Sequence, residues 1–302
     1  MSPIPEVTVV IATHNRRVLV EEAVASVRLQ RGVTWELILV DDASTDDTER
    51  VFSGAPDLTY HRLERHRERS IARNQGLERA GAPLVMFLDD DDVLHAGALS
   101  TLARAMRAHP GAVAAVGARQ DWFVGEDYRR RDIHPWRERT RDLFDALLFG
   151  WSAVSGQNLF RTAVVRAVGG YNETLIPCED RDLWLRLARQ GPVVLRPETV
   201  MTYRMLPTRR LPPDIRSLRE RVAERAILAL PADRQPRARR IRQATRAVDA
   251  AEDAVMAGHP ARALAEVAAA VVDYPALAAT PWLSLWITRR LVGRAYHRWR
   301  GR

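Results

Sequence analysis

Apolar positions in the first two thirds of the chain follow two rhythms. Short apolar runs occur at Val7-Thr8-Val9-Val10-Ile11, Leu37-Ile38-Leu39-Val40 and Leu84-Val85-Met86-Phe87-Leu88, and each stops at a polar cluster. Aliphatic and β-branched runs of this length, bounded by polar breaks, read as buried strands. Between them apolar residues recur three or four apart, as in Val20, Ala23, Val24 and Val27. That spacing predicts amphipathic helices. It places helices over 17–30, 70–80, 96–108 and 162–168, with another N-terminus near Thr45. A weaker strand is expected over 58–62 and a small-residue strand over 112–118. Gly81 and His109-Pro110-Gly111 act as stops. Residues 119–150 are charged and aromatic, with Arg129-Arg130-Arg131 among them. They are read as an irregular insertion with one helix near 140–149.

Strands alternating with helices imply an α/β fold with a Rossmann-like, mostly parallel central sheet flanked by helices. Such sheets bind ligands beyond the C-terminal ends of their strands. Here those ends carry Thr13, His14 and Asn15, then Asp41 and Asp42, then Asp89-Asp90-Asp91-Asp92. The first turn lacks G-x-G-x-x-G, which excludes the dinucleotide fingerprint, and a P-loop needs a Lys that the chain does not have.

Four adjacent carboxylates repel one another unless something positive sits among them. A hard divalent cation with oxygen ligands answers that need. A solvated loop, or an Asp capping a helix that starts near Val93, answers it too. A second acidic cluster, Glu179-Asp180, opens the amphipathic stretch Arg181 to Ala188. Acids in a first helical turn are stabilised by the helix dipole, so chemistry is one of two readings there.

After Met205 the character changes. Pro207, Pro212 and Pro213 mark a linker, and the sequence beyond is helical in composition. Two regions are expected: a catalytic domain over 1–205 and an α-helical region over 206–302. The stretch 263–272 resembles one helix of a helical hairpin. Over 281–302, Trp282, Leu285, Trp286, Val292, Tyr296 and Trp299 fall near one helical face, with Arg289, Arg290, Arg294 and Arg298 largely elsewhere. Such a helix suits a membrane surface, or a protein surface with an Arg-rich solvent face.

Composition narrows the partners. The chain has 302 residues and a formal net charge of +8, and all 46 basic residues are Arg. Arg suits bidentate recognition of phosphate and carboxylate. The charge permits nucleic-acid binding, but no binding motif is present and Arg is interspersed with Asp and Glu, so no nucleic acid is expected. The single Cys178 excludes an internal disulfide. No basic segment followed by an apolar one opens the chain, and no apolar run reaches membrane-spanning length. The expected location is the cytoplasm; of the two readings of 281–302, a helix packed on the catalytic domain with an Arg-rich solvent face is slightly preferred, and peripheral association at the inner face of the cell membrane is the other.

The pieces V-T-V-V-I-A-T-H-N-R, L-I-L-V-D-D-A-S-T-D-D-T, R-S-I-A-R-N-Q-G-L, V-M-F-L-D-D-D-D-V-L, V-G-G-Y-N-E and C-E-D-R-D-L-W-L-R-L occur in that order within 5–205. Together they resemble the family 2 inverting glycosyltransferases of GT-A fold. The resemblance implies a nucleotide-sugar donor, UDP- or dTDP-linked. Thr13, His14 and Asn15 would line the base, with His14 standing where the family usually has an aromatic residue. Asp42 would accept from the imide N–H of uracil or thymine, and Arg73 would sit near the diphosphate. The D-x-D element corresponds to Asp89-Asp90-Asp91: Asp91 would ligate Mn²⁺ or Mg²⁺ and Asp90 would face the ribose or sugar, with Asp89 and Asp92 as neighbouring candidates. Asp180 matches the general base, with Glu179 supporting it.

The resemblance therefore implies a metal-dependent, hexosyltransferase-type enzyme that transfers sugar to a hydroxyl acceptor. A cell-envelope or lipid-linked glycan is the first expectation for the acceptor, and a natural product or peptide the second. A nucleotidyltransferase is the alternative within enzymes; the Gly-free turn Ala12 to Arg16 speaks against it. Tyr203-Arg204-Met205 and the Pro/Arg stretch after them are expected to form a loop closing over the donor.

Overall fold

In the computed structural model, which describes residues 4–125, 128–131, 139–207 and 212–275, the first apolar run forms β1 (Val7–Thr13). Val7, Val9, Val10 and Ile11 are fully buried. A strand apolar on both faces needs cover on both sides, which helices flanking a parallel sheet provide. The chain continues through α1 (Arg17–Arg28), β2 (Trp35–Asp41), α2 (Thr48–Phe52), β3 (Thr59–Arg62), α3 (Glu68–Arg79) and β4 (Leu84–Asp89). Next come β5 (Val93–Leu94), α4 (Ala98–Ala108), β6 (Ala114–Phe123), β7 (Tyr128–Arg131), β8 (Arg139–Arg141) and α5 (Phe144–Phe149). β9 (Asn158–Arg161), α6 (Thr162–Ala167), α7 (Glu179–Leu187) and β10 (Val193–Met205) complete the sheet and its cover.

The sheet order is β3-β2-β1-β4-β9-β6-β10-β5, with β7 paired to β6 and β8 to β10. β3, β2, β1 and β4 run parallel. β9 is antiparallel to both β4 and β6, which makes the second half mixed. The helix-flanked α/β layout follows the sequence expectation, and its parallel half is the part that the apolar runs defined. Alternate residues of these strands serve two cores, as the two-residue period requires. Val9, Ile11, Leu37, Leu39, Met86 and Leu88 pack with Val24 and Val27 of α1 and Leu99 and Leu102 of α4. Ile38 and Val40 pack instead with Ala72 of α3. α3 lies close on the sheet: a Cβ on Gly76 would stand 2.2 Å from Val10 Cγ1, so only Gly fits there.

Three local expectations are corrected. The helix foreseen near Val93 begins at Ala98, because Val93–Leu94 pairs with β10 as a short strand. Residues 119–123 and 128–131 are not irregular: β6 runs to Phe123 and its antiparallel partner β7 contains Arg129 to Arg131. Antiparallel strands need no continuous apolar run, so charge hid them. Tyr203, Arg204 and Met205 form the end of β10, paired with Asp121, Trp122 and Phe123, and not a closing loop.

The chain divides into two compact units, 1–143 with 153–219 and 144–152 with 220–302. The expected boundary at 205/206 therefore precedes the structural one, and the short segment around α5 groups with the C-terminal helices. In the second unit α9 (Gln235–Ala257) and α10 (Pro260–Asp273) form an antiparallel helical hairpin. Gly258 ends α9 at φ 85° and Pro260 opens α10, the residue types that helix ends favour. Ala251, Ala254 and Ala263 pack between the two. The end of α8 (Ile215–Leu228) belongs to this unit, where Glu220 and the Leu148 carbonyl hold the buried Arg242 guanidinium. The Trp- and Arg-bearing stretch 281–302 lies outside the described residues.

Candidate active site

The parallel register brings three strand ends to one level: Thr13 pairs with Asp41, and Ala12 with Asp89. β1 lies between β2 and β4, so its following turn, Thr13 to Arg16, sits between Asp42 and the four-Asp run. Strand ends at one level, with the connecting turns above them, are where an α/β sheet holds a ligand.

At the β2 end Asp42 is buried, and each of its oxygens has a neighbour. Oδ1 accepts from the Arg67 backbone N–H at 2.7 Å, and Oδ2 lies 2.8 Å from His66 Nδ1. His14 Nδ1 lies 2.7 Å from the Asp42 carbonyl oxygen. The His14 and His66 ring centroids stand 4.1 Å apart with the planes tilted by 32°. Asn15 links the turns: its N–H donates to Ser44 Oγ, and its Oδ1 accepts from the Thr45 N–H. Asp41 serves the scaffold, accepting from the Ser44 N–H and the Tyr60 hydroxyl.

At the β4 end the four carboxylates divide. Asp89, Asp91 and Asp92 each offer an oxygen, and these lie within 4.8 Å of one another. Asp90 turns the other way, accepting from Thr13 Oγ1 at 2.8 Å and from Arg16 Nη1 at 3.0 Å. Burial pushes the Asp90 pKa up to about 6; Arg16 opposes this and Asp91 adds to it. Asp92 is fully buried and accepts the Arg204 N–H of β10 at 2.9 Å. It does not cap a helix, since α4 begins six residues later. Three hard carboxylate oxygens converging on one point suit Mg²⁺ or Mn²⁺. Of the residues weighed as ligands, Asp91 thus has Asp89 and Asp92 beside it, and Asp90 does not join them.

Arg73 of α3 joins this loop to α7. Its guanidinium donates to Asp89 and, at 3.1 Å, to Glu179, and it stands 5.0 Å over the Tyr171 ring. Burial works against its charge, but Asp89, Tyr171 and Glu179 outweigh burial and move its pKa up. Arg73, expected at the diphosphate, thus forms the buried wall between two carboxylates. Asp180 follows Glu179 in the first turn of α7, and its Oδ1 accepts the Arg181 N–H at 2.7 Å. Burial, then the Glu179 charge, raises its pKa; Arg73 and Asp89 lie near enough to act on it as well. The first-turn position that the helix dipole favours and the approach to the strand-end acids therefore coincide.

Among the described residues, the non-Gly residues with positive φ are Asn15, Ala43, Glu68 and Cys178. Each adjoins this site, where strained backbone tends to concentrate. Sequence reasoning missed Arg16, His66 and Tyr171 as site residues. His66 sits in the basic stretch His61 to Arg69, which offers no periodic signal.

Comparisons with known proteins bear on the family and the fold. A Campylobacter jejuni GalNAc(5)-diNAcBac-PP-undecaprenol beta-1,3-glucosyltransferase is 38% identical over 103 residues, 32% of this chain and 33% of that protein. The putative teichuronic acid biosynthesis glycosyltransferase TuaG of Bacillus subtilis is 40% identical over 92 residues, 29% of this chain and 36% of its own length. The chain thus spans about a third of the length of these relatives. The crystal structure of Staphylococcus aureus TarS 1–349 with UDP-GlcNAc superposes with a TM-score of 0.68 at 15% identity, covering 96% of this chain and 89% of that one. That likeness establishes the fold: a GT-A α/β layout with C-terminal helices. The sequence profile described as Glycosyl transferase family 2 matches residues 8–167, more than half of the 302-residue chain, and the chain belongs to that family.

Proposed function

We propose that the protein is an inverting transferase that moves a sugar from a UDP- or dTDP-sugar to a hydroxyl of a cell-envelope or lipid-linked glycan. The observation that carries this reading is the alignment of Asp42, Thr13 to Arg16, and Asp89, Asp91 and Asp92 across three adjacent strand ends, with Asp180 on a separate element beside them. The base lies against His14 and gives its imide N–H to Asp42. The ribose and diphosphate cross the end of β1 toward Asp91. Asp89, Asp91 and Asp92 would hold Mn²⁺ or Mg²⁺, which would offset charge on the diphosphate leaving group.

Asp180 accepts the proton of the acceptor hydroxyl as its oxygen bonds to the anomeric carbon. The bond from that carbon to the diphosphate oxygen breaks on the opposite side, which inverts the centre and releases the nucleoside diphosphate. Arg73 holds Glu179, and through it the first turn of α7, in register with Asp89. The relatives named for undecaprenol-linked and teichuronic acid synthesis support an envelope glycan as acceptor. Membrane association through 281–302 is part of the proposal, and liposome binding by the full chain against a chain lacking 281–302 tests it. Among the described residues no helix is long and apolar enough to cross a membrane.

The decisive experiment is a thermal-shift and calorimetric screen of nucleoside diphosphate sugars with Mn²⁺ and with EDTA. A metal-dependent shift with UDP- or dTDP-sugars supports the reading. No shift with any nucleotide sugar rejects it. NMR of the anomeric proton in the product then reports inversion or retention.

A further inference from the structure

Two arginines neutralise the acidic strand end, and they do so differently. Arg73 is 5% exposed and locked between Asp89 and Glu179. Arg16 follows the β1 turn, directly before α1, and its side chain is 45% exposed. It contacts Asp90 at 3.0 Å and Asp91 at 3.1 Å, both through Nη1 alone. Among the described residues, its Nε and Nη2 have no hydrogen-bond partner. Its partners differ in exposure, 8% for Asp90 and 18% for Asp91, so the contact with Asp91 is the more open of the two and the easier to exchange, whereas breaking a buried pair costs several kcal/mol.

Location gives the exposed arginine a role. The base site is at the end of β2 and the acidic cluster at the end of β4, two strand spacings apart, about 10 Å. Any nucleoside diphosphate joining them must cross the end of β1. Arg16 reaches from that end to Asp91, so its guanidinium occupies the crossing.

We propose that Arg16 is an exchangeable counter-cation of the donor site. In the donor-free protein it holds Asp91 and competes with a divalent cation for that carboxylate. When nucleotide and metal enter together, Arg16 gives up Asp91, stays anchored to Asp90 and turns its two unused donors to the diphosphate. The planar fork suits two phosphate oxygens, which an ammonium group cannot match. The consequence is ordered loading: metal alone binds weakly, and metal with nucleotide binds well. The inference rests on the metal-dependent reading given above.

The test is isothermal titration of the full chain, wild type against Arg16→Gln and Arg16→Lys. Arg16 is half-exposed and replaces no core atom, and thermal unfolding checks that each variant folds. Titrated with Mn²⁺ alone, Arg16→Gln is expected to bind about three- to tenfold more tightly than wild type, because the competitor is gone. Titrated with UDP at saturating Mn²⁺, the same variant is expected to bind about five- to twentyfold more weakly. Arg16→Lys should restore the wild-type Mn²⁺ affinity but only part of the UDP affinity. Mn²⁺ affinity that is unchanged or weaker in Arg16→Gln overturns the competition, and unchanged UDP affinity overturns the transfer to diphosphate. A wild type that binds UDP equally with Mn²⁺ and with EDTA overturns the metal reading itself, so the two failures are distinguishable.

Discussion

Arg73 donates to Glu179 over 3.1 Å, and the two side chains are each 5% exposed. This pair fastens α7, which carries Asp180, to α3 and the end of β4. Neither charge has enough water around it to stand alone. The pair therefore acts as a structural rivet, and the first turn of α7 is placed by electrostatics as well as by packing.

Removing one partner should be costly. Arg73→Ala removes the buried partner of Glu179 and Asp89, leaving Glu179 the more distant and exposed Arg69 at 3.9 Å, and a loss of about 3 kcal/mol of folding stability is expected. Arg73→Ala with Glu179→Ala should lose less than the sum of the two single changes. Urea unfolding of the four proteins measures this. Additive losses would show that the contact carries no coupling.

The Gly76 position makes a second prediction. Gly76→Ala places a methyl 2.2 Å from Val10 Cγ1 and 3.1 Å from its Cγ2. Overpacking of this kind costs about 1–3 kcal/mol. Arg73 lies three residues earlier on the same helix face, so lifting α3 also shifts the Arg73 contacts. The variant should melt earlier and lose transfer activity. Val10→Ala added to Gly76→Ala should recover part of both, and no recovery would mean that the helix is not held off the sheet at this point.

The sequence made β1, β2 and β4 readable because their cores are apolar runs that stop abruptly at polar clusters. The same contrast drew attention to Asp42 and the Asp89 to Asp92 run, whereas Asp180 stood out as an acid in the first turn of an amphipathic helix. That contrast could not say which of four identical neighbours converge. That depends on the turn closed by the Asp92 N–H on the Asp89 carbonyl, which points Asp90 toward Thr13. Nor could it single out Arg16 among 46 arginines. The second half of β10 escaped because Tyr203 and Arg204 look like loop residues until their pairing with Asp121 and Trp122 is known. Composition marks a strand only where burial is two-sided.

Asp42 provides a test of base recognition. Its Oδ1 is held by the Arg67 N–H and its Oδ2 lies 2.8 Å from His66 Nδ1, so an imide meets Oδ2 by sharing or displacing the His66 contact. Asp42→Asn keeps the shape but turns one acceptor into a donor. Loss of a hydrogen bond to a charged acceptor costs about 1.5–3 kcal/mol, roughly ten- to hundredfold in UDP affinity. CDP, which presents an acceptor at the same ring position, should lose little or gain. Calorimetry with UDP and CDP decides the point; equal losses for both nucleotides would remove Asp42 from base reading.

The last prediction concerns pH. A general base works only when unprotonated, and burial together with the Glu179 charge raises the Asp180 pKa above the ordinary Asp value of about 3.9. As pH falls, Asp180 therefore takes up its proton earlier than an exposed Asp would. The acid limb of kcat/KM should lie above the range of a free carboxylate, with activity lost as pH drops through it and regained on returning to neutrality. The metal-holding carboxylates also titrate on the acid side, so UDP binding must be followed over the same pH range. If binding stays level while kcat/KM falls, the limb belongs to the acceptor side. Asp180→Asn should then bind UDP as the wild type does, lose about 10²–10⁴-fold in kcat, and show no limb. A variant that keeps both the rate and the limb would move the base elsewhere in the site.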